Sequence, residues 1–180
     1  MYVELHTRSA FSFLEGASLP EELAATCARL NLPAMALLDT DGVYGAPRFH
    51  RAAKKLGIKA HIGAEVSAFL PRRHPSVLRA EGCLRDEISR GEFRLPLLVS
   101  SRAGYQNLCR LITKMKLRTK KGEGAVCEKE LEEHANGLIC LTGGAEGPLA
   151  KALQQESIEA AHRQVEQLIG IFGRGNVYVE

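Results

Sequence analysis

Apolar positions along the chain alternate between short continuous runs and stretches with helical spacing. The short runs are rich in aliphatic side chains, as buried strands are. They cover residues 2–6, 34–38, 58–66, 95–100, 138–142 and 177–179. Between two of them, Phe49, Ala52, Ala53 and Leu56 stand at i, i+3, i+4 and i+7, which predicts a helix that packs one side on a sheet. The pattern predicts an α/β fold, with roughly six strands and intervening helices around a parallel sheet.

Several further helices follow from the same spacing. Ser18 and Glu21 form an S-x-x-E capping box, which predicts a helix that ends before Pro33. Later helices are predicted over residues 108–121, 128–134 and 161–172. The last apolar run, 177–179, has nothing after it to pack on. An open doubly wound sheet and a barrel that continues beyond residue 180 both fit this pattern.

Residues 71–94 interrupt the alternation. The segment is rich in Arg and has a Pro at each flank, so we predict a surface excursion within one domain of residues 1–180. With 45% apolar residues, a chain of this length is able to bury one hydrophobic core. No apolar run is long enough to span a membrane, and the N-terminus lacks a signal stretch. A cytoplasmic protein is therefore expected.

The net charge of +3 hides an uneven distribution. Residues 48–121 contain 18 basic and 5 acidic residues, whereas residues 122–180 contain 4 basic and 10 acidic residues. Such asymmetry is typical of a face that meets an anionic partner, and equally of solvated helix faces. The candidates for DNA phosphate contacts are Lys114, Lys116, Arg118, Lys120 and Lys121.

In a parallel α/β fold, chemistry gathers where the strands end. That criterion selects Glu4 and His6 from the first strand, Asp39 and Asp41 after the second, and Glu65 in the third. Glu4 and His6 are two residues apart and would share a face of a regular strand. Imidazole and carboxylate groups are ligands for divalent metals. Ordinary surface and turn positions explain the same residues, so spacing alone leaves both interpretations open.

Longer blocks of sequence resemble a known family. Residues 4–16 (ELHTRSAFSFLEG), 36–45 (ALLDTDGVYG) and 62–65 (IGAE), followed by blocks at 97–108 and 137–143, resemble the polymerase-and-histidinol-phosphatase (PHP) domain. In this order they resemble the N-terminus of bacterial C-family DNA polymerases, and most closely the error-prone branch. The resemblance implies a distorted (β/α)7 PHP barrel that is incomplete in this chain.

The resemblance also implies a metal site that retains part of its ligand set. His6 matches the second His of the H-x-H motif, and Glu4 replaces the first. Asp39 matches the Asp of a T-D-H-G-like block, and Glu65 matches the Glu of a G-x-E block. Thr40 stands where a His is expected, and the last ligands would lie beyond residue 180. A site of this kind would take Zn or Mn on His6, Asp39 and Glu65, with Glu4 as an additional ligand.

At two other positions where the resemblance implies a ligating His, this chain has arginine. Arg8 replaces a His of the first block, and Arg94 lies about where another His is found. Guanidinium groups bridge carboxylates. We therefore predict an ion-pair cluster without metal, in which Arg8 and Arg94 hold Glu4, Asp39 and Glu65, with His6 as a hydrogen-bonding member.

The function implied is that of a module in a DNA-directed DNA polymerase, a nucleotidyltransferase of replication, repair and damage tolerance. Its partners would be DNA, deoxynucleoside triphosphates and other replication or repair subunits. Its Mg²⁺ would belong to a polymerase domain outside this chain. Within that enzyme the resemblance implies that the module is either a metal-dependent 3′–5′ exonuclease or a structural brace for the polymerase core. We expect the structural role, with no catalytic residue in this chain. Two alternatives are a free-standing metal-dependent phosphoesterase and a non-catalytic module whose basic face, residues 48–121, meets DNA or a protein. Unpaired strand edges predict that the isolated chain is poorly soluble or oligomeric.

Overall fold

A computed structural model of the chain describes residues 2–70, 93–120, 124–155 and 157–180. The strands are β1 (Glu4–Thr7), β2 (Ala34–Thr40), β3 (Lys59–Phe69), β4 (Phe93–Val99), β5 (Val126–Cys127), β6 (Leu138–Leu141) and β7 (Val177–Tyr178). The helices are α1 (Pro20–Arg29), α2 (Ala46–Lys55), α3 (Arg102–Arg118), α4 (Glu128–His134), α5 (Pro148–Gln155) and α6 (Ile158–Phe172), and a 3₁₀ turn covers Arg174–Asn176. The predicted α/β class is confirmed, and each of the six predicted strands is present. The turn at 142–147 was expected to lead from a strand into a helix, and α5 begins directly after it; the two-residue strand β5 was not predicted.

All strands belong to one sheet, in the order β1-β2-β3-β4-β6-β7, with β5 paired to β3. The pairs β1–β2, β2–β3 and β6–β7 are parallel, as expected. Strand β4 is antiparallel to both of its neighbours, so the prediction of a fully parallel sheet is wrong at this strand. Ala68 near the end of β3 pairs with Phe93 at the start of β4. The chain therefore leaves β3 and joins β4 at the same end of the sheet, where no crossover helix is needed.

The sheet curls, and its two faces contact different layers. Along β2, successive side chains alternate between the faces. Met35 and Leu37 pack with residues of α1 and α2, including Cys27 and Phe49. On the other face, Ala36 and Leu38 pack with Leu98 of β4 and Leu141 of β6. Because β2 and β6 are separated by two strands, the presence of their side chains in one buried cluster indicates a strongly curved, half-barrel sheet.

Helix α1 begins one residue later than the predicted capping box requires. Leu19 is the N-cap, and its N–H donates to the Glu22 carboxylate at 2.8 Å. Pro20 at the first helical position lacks the N–H that would otherwise be unsatisfied there. Glu21 is consequently not a capping residue, and its carboxylate binds Arg48 of α2 instead, at 2.6 Å.

The predicted excursion at 71–94 lies outside the described residues except for its last two, which begin β4. Four cysteines lie within the described ranges, and all four thiols are free. Over those same ranges, no helix has both the length and the apolar character to cross a membrane.

Candidate functional site

The ends of several strands meet at one rim of the curved sheet. Parallel strands β1, β2 and β3 finish there, and antiparallel β4 begins there because Arg94 pairs with Ser67 of β3. Strands β6 and β7 also end at this rim, since β6 runs antiparallel to β4. Charged side chains from these ends form what we call the rim cluster. Its members are His6, Arg8, Glu15, Asp41, Glu65, Arg94, Glu146 and Glu180.

Glu65 is the most deeply buried member of the rim cluster, with a side chain only 2% exposed. Its Oε1 lies 3.1 Å from His6 Nε2, and its Oε2 lies 2.6 Å from Arg8 Nη2. Burial alone would raise the pKa of the Glu65 carboxyl, but hydrogen bonds from His6 and Arg8 outweigh burial and lower the pKa below its ordinary value. The carboxylate is therefore charged and is held by two cationic partners.

His6 lies between two carboxylates. Its Nε2 faces Glu65, and its Nδ1 lies 2.9 Å from Glu180 Oε1. The hydrogen bond to Glu65, followed by the one to Glu180, raises the pKa of His6. A neutral imidazole has only one N–H, so both bonds are satisfied together only by the protonated ring. In that state His6 has no free lone pair for a metal ion.

A second set of contacts links the two arginines. Glu15, in the loop after β1, lies 3.5 Å from Arg8 and 3.3 Å from Arg94. Arg94 also lies 3.5 Å from Asp41 and donates to Ser67 Oγ at 2.9 Å. Ser67 in turn donates to both oxygens of Asp41, through its N–H and its hydroxyl. Glu15 therefore connects the ion pairs of Arg8 with those of Arg94.

Asp39 lies outside the rim cluster. Its Oδ1 accepts hydrogen bonds from the N–H and hydroxyl of Ser9 and from the hydroxyl of Ser12, at 2.9, 2.7 and 3.1 Å. Its Oδ2 accepts the N–H of Gly45 at 2.9 Å, just before α2. Strand register explains this separation, because Glu65 is the partner of Thr40, and neighbours on one strand point to opposite faces.

Glu4 also lies apart from Arg8 and Glu65. It accepts hydrogen bonds from the Tyr2 hydroxyl at 2.5 Å and from the backbone N–H of His6 at 2.9 Å. The register of β1 against β2 shifts between Glu4 and Thr7. Strand β1 is therefore not regular over the stretch in which a shared face was predicted for Glu4 and His6.

The sequence did not indicate three carboxylates of the rim cluster, those of Glu15, Glu146 and Glu180. Glu180 directly follows the apolar run 177–179. The strand-end criterion that selected Asp39 would also have selected Glu180, but it was applied only to the first three strands. Glu15 and Glu146 lie in loops and carried no such signal. Within the described ranges, no three or more His, Cys, Asp or Glu side chains are arranged to hold a metal ion.

Two of the predicted DNA-contacting lysines have partners within the protein. Lys114 Nζ lies 2.7 Å from Glu133 of α4. The ammonium of Lys116 lies 5.9 Å from the centroid of the Tyr44 ring. Both lysines are exposed, so these contacts leave them within reach of an external phosphate.

Arg118 has a structural partner instead. Its guanidinium pairs with the carboxylate of Glu130, which is only 5% exposed, and donates to the carbonyl of Ala125 at 2.6 Å. Glu130 also accepts the N–H of Cys127 at 3.1 Å, at the start of α4. Lys120 is exposed, and Lys121 lies outside the described residues.

Comparison with known proteins relates the chain to one domain family. The family model of the PHP domain matches residues 4–180. An error-prone DNA polymerase from Mycolicibacterium paratuberculosis is 38% identical over 181 residues, which are 99% of this chain and 16% of that protein. The DNA polymerase III subunit alpha of Buchnera aphidicola is 34% identical over 154 residues, 84% of this chain and 12% of that protein. The chain thus spans less than a fifth of the length of these relatives.

Solved structures resemble the fold more distantly. An amidohydrolase from Chromobacterium violaceum, with bound sulfate and no metal, is 20% identical, with a TM-score of 0.44 over 93% of this chain and 49% of that one. A likeness at this level says nothing about activity.

Proposed function

The chain belongs to the PHP domain family, and from that membership we propose that it is the N-terminal PHP module of an error-prone DNA polymerase. The observation that carries the proposal is the 38% identity over nearly the whole chain to a polymerase of that name, of which this chain corresponds to 16%. The other, larger part of such an enzyme would carry nucleotidyl transfer. Its substrates would be a primed DNA template and deoxynucleoside triphosphates, with Mg²⁺ in the polymerase domain. It would act in the cytoplasm during DNA repair and damage tolerance, with other replication or repair subunits.

The reading frame that encodes this chain provides the first test. A polymerase requires the frame to continue for several times the length of this chain, and the purified product should extend a primer on a DNA template. A frame that closes after a few more barrel elements, with a product that hydrolyses phosphate esters, would instead establish the free-standing phosphoesterase.

Within that polymerase, we propose that the module has a structural role and that the arginines of the rim cluster replace a metal. The contacts that support this role are those of Glu65, which lies 2.6 Å from Arg8 and 3.1 Å from protonated His6. Both ring nitrogens of His6 face carboxylates, and both oxygens of Asp39 accept hydrogen bonds from neutral donors. The three predicted ligands therefore do not fit a metal in this arrangement. Zn or Mn would have to displace Arg8 and deprotonate His6.

Elemental analysis of the whole polymerase, purified without chelator, tests the structural role. We expect substoichiometric Zn and Mn, and no 3′–5′ exonuclease activity when either metal is added. The matched variant is Arg8→His, which restores the residue type that the resemblance implies at this position. Stoichiometric Zn or Mn in the wild-type protein, lost in Glu65→Gln, would refute the proposal.

A further inference from the structure

The exposed side of α2 carries only positive charge. None of the ten residues of α2, Ala46–Lys55, is acidic. Its inner side buries Phe49 and Ala53 completely in the core. Its outer side presents four exposed cations, which we call the α2 cationic face and which are Arg48, Arg51, Lys54 and Lys55.

Three of these cations line a groove. Arg48, Arg51 and Lys55 stand at i, i+3 and i+7, so they project from the same side of the helix. Together with Ala52 and Leu56 of the α2 segment and Glu21 of α1, they line an open groove of about 580 Å³. The charges are therefore gathered along one concave surface.

Interactions within the protein explain the presence of only some of the four cations of the α2 cationic face. Glu21 binds Arg48 through two hydrogen bonds, at 2.6 and 2.9 Å, and Arg48 also lies 5.4 Å from the centroid of the Phe11 ring. Lys54 and Lys55 are in the last turn, where the helix dipole favours cations. Arg51 lies in the middle of the helix, and no carboxylate of the described residues forms an ion pair with it. Arg51 and Lys55 are like charges four residues apart, an arrangement that destabilises a helix, so helix stability does not account for the charge of Arg51.

We propose that the α2 cationic face binds the phosphate backbone of duplex DNA, an inference that rests on the polymerase function proposed above. Complementary charge favours this partner, because a groove lined by guanidinium and ammonium groups matches a line of phosphates. An anionic membrane fits less well. The apolar side of α2 is buried in the core, so the helix has no exposed apolar face to insert among lipids.

The experiment uses the whole protein that contains this chain and a fluorescein-labelled primer–template duplex. Binding is measured over a series of NaCl concentrations for the wild type and for Arg51→Gln/Lys55→Gln. The matched control is Arg102→Gln/Arg110→Gln, which removes the same charge from exposed positions on α3. Far-UV circular dichroism verifies that each variant is folded, and Arg51→Lys/Lys55→Arg tests whether positive charge suffices.

We expect the α2 variant to weaken binding and to reduce the slope of log K against log[NaCl] by about two, because each phosphate contact contributes about 0.9. The effect should be equal on duplexes of unrelated sequence, since phosphate contacts carry no sequence information. The charge-conserving variant should bind like the wild type. The same loss in the α3 control, or no loss in either variant, would overturn the proposal. So would a loss of binding to phosphatidylserine vesicles without a loss on DNA.

Primer extension by the wild type and the α3 control separates this proposal from the one on which it rests. Extension together with an unchanged salt slope in the α2 variant refutes the DNA-binding face alone. The absence of extension in the wild type, with the frame closing early, refutes the polymerase function and this inference with it.

Discussion

His6 lies in β1 and Glu180 follows β7, the first and last strands of the sheet order, yet only 2.9 Å separates His6 Nδ1 from Glu180 Oε1. The Glu180 N–H also donates to Thr142 Oγ1 at 3.0 Å, which fixes Glu180 at the end of β7. No backbone ladder joins β1 to β7 within the described sheet. Side chains of the rim cluster, rather than strand pairing, therefore connect the two edges of the half-barrel.

The ion pairs of His6 and Glu65 in the rim cluster predict that the stability of the protein has a maximum at mildly acidic pH. The pKa of His6 is raised above its ordinary value of 6.5, so its contribution is complete below that pH and is lost as pH rises through the folded value. The pKa of Glu65 is lowered below its ordinary value of 4.5, so its contribution is complete above that pH and is lost as pH falls through the folded value. The midpoint of urea unfolding should therefore be highest between about pH 5 and 6.5.

His6→Gln should remove the decline on the alkaline side of this maximum. Exposed His50 of α2 provides the control, and His50→Gln should leave the decline in place. A midpoint that stays constant from about pH 6 to 8 in the wild type would contradict a protonated His6.

Loss of the Arg8 guanidinium should destabilise the protein strongly. Arg8→Met leaves Glu65, only 2% exposed, with a single cationic partner, and the free energy of unfolding should fall by about 3 kcal/mol. The double variant Arg8→Met/Glu65→Gln should lose much less than the sum of the two single changes, because position 65 no longer carries a buried carboxylate that lacks its arginine partner. Lys114→Met, which breaks an exposed ion pair with Glu133, should leave the free energy of unfolding almost unchanged, because solvent screens such a pair. Additive losses in the double variant would refute the coupling.

The hydrophobic pattern predicted the strands and helices well, because the burial of apolar side chains determines where these elements form. The run 34–38 became β2, and the spacing of Phe49 and Ala53 predicted the buried side of α2. The direction of β4 could not be predicted in this way. A buried strand has the same composition whether it runs parallel or antiparallel, and Phe93 pairs with Ala68 through backbone groups that carry no sequence signal.

The rim cluster was predicted in part. Arg8 and His6 both contact Glu65, and the resemblance had drawn attention to all three. Arg94 binds Glu15 and Asp41 rather than the carboxylates assigned to it. For Asp39 the cause is the register of β2 against β3, which places Asp39 beside Ala64 rather than Glu65. Which residues of two neighbouring strands lie opposite each other depends on the pairing register, and the sequence does not give that register.

Asp39 should be essential for the loop that follows β1, although it lies outside the rim cluster. In Asp39→Asn, an amide N–H₂ replaces one carboxylate oxygen and must face either Gly45 N–H or the donors of Ser9 and Ser12. One buried donor then meets another, and we expect a loss of about 2–3 kcal/mol of unfolding free energy. Ser12→Ala removes one of the four hydrogen bonds to Asp39, together with the acceptor of the Thr40 N–H, and should cost about 1–2 kcal/mol, less than Asp39→Asn. Equal losses in the two variants, measured by urea unfolding, would show that Asp39 acts through something other than its hydrogen bonds.

Two helical glycines should respond in opposite ways to the same substitution. A Cβ at Gly104 of α3 would lie 1.9 Å from the carbonyl oxygen of Gly137, so α3 has to move away from the turn before β6. A Cβ at Gly170 of α6 meets nothing within 4 Å. Alanine favours a helix over glycine by about 1 kcal/mol, and Gly170→Ala should raise the free energy of unfolding by nearly that amount.

Gly104→Ala should instead lower the free energy of unfolding by about 1–3 kcal/mol, because overpacking outweighs the gain in helix propensity. Both changes are measured by urea unfolding of the same protein, so differences in the unfolded chain largely cancel. Gly170→Ala therefore calibrates the propensity gain, and the difference between the two variants isolates the close approach of α3 to Gly137. Equal stabilisation by both substitutions would show that α3 packs farther from Gly137 than the structure places it.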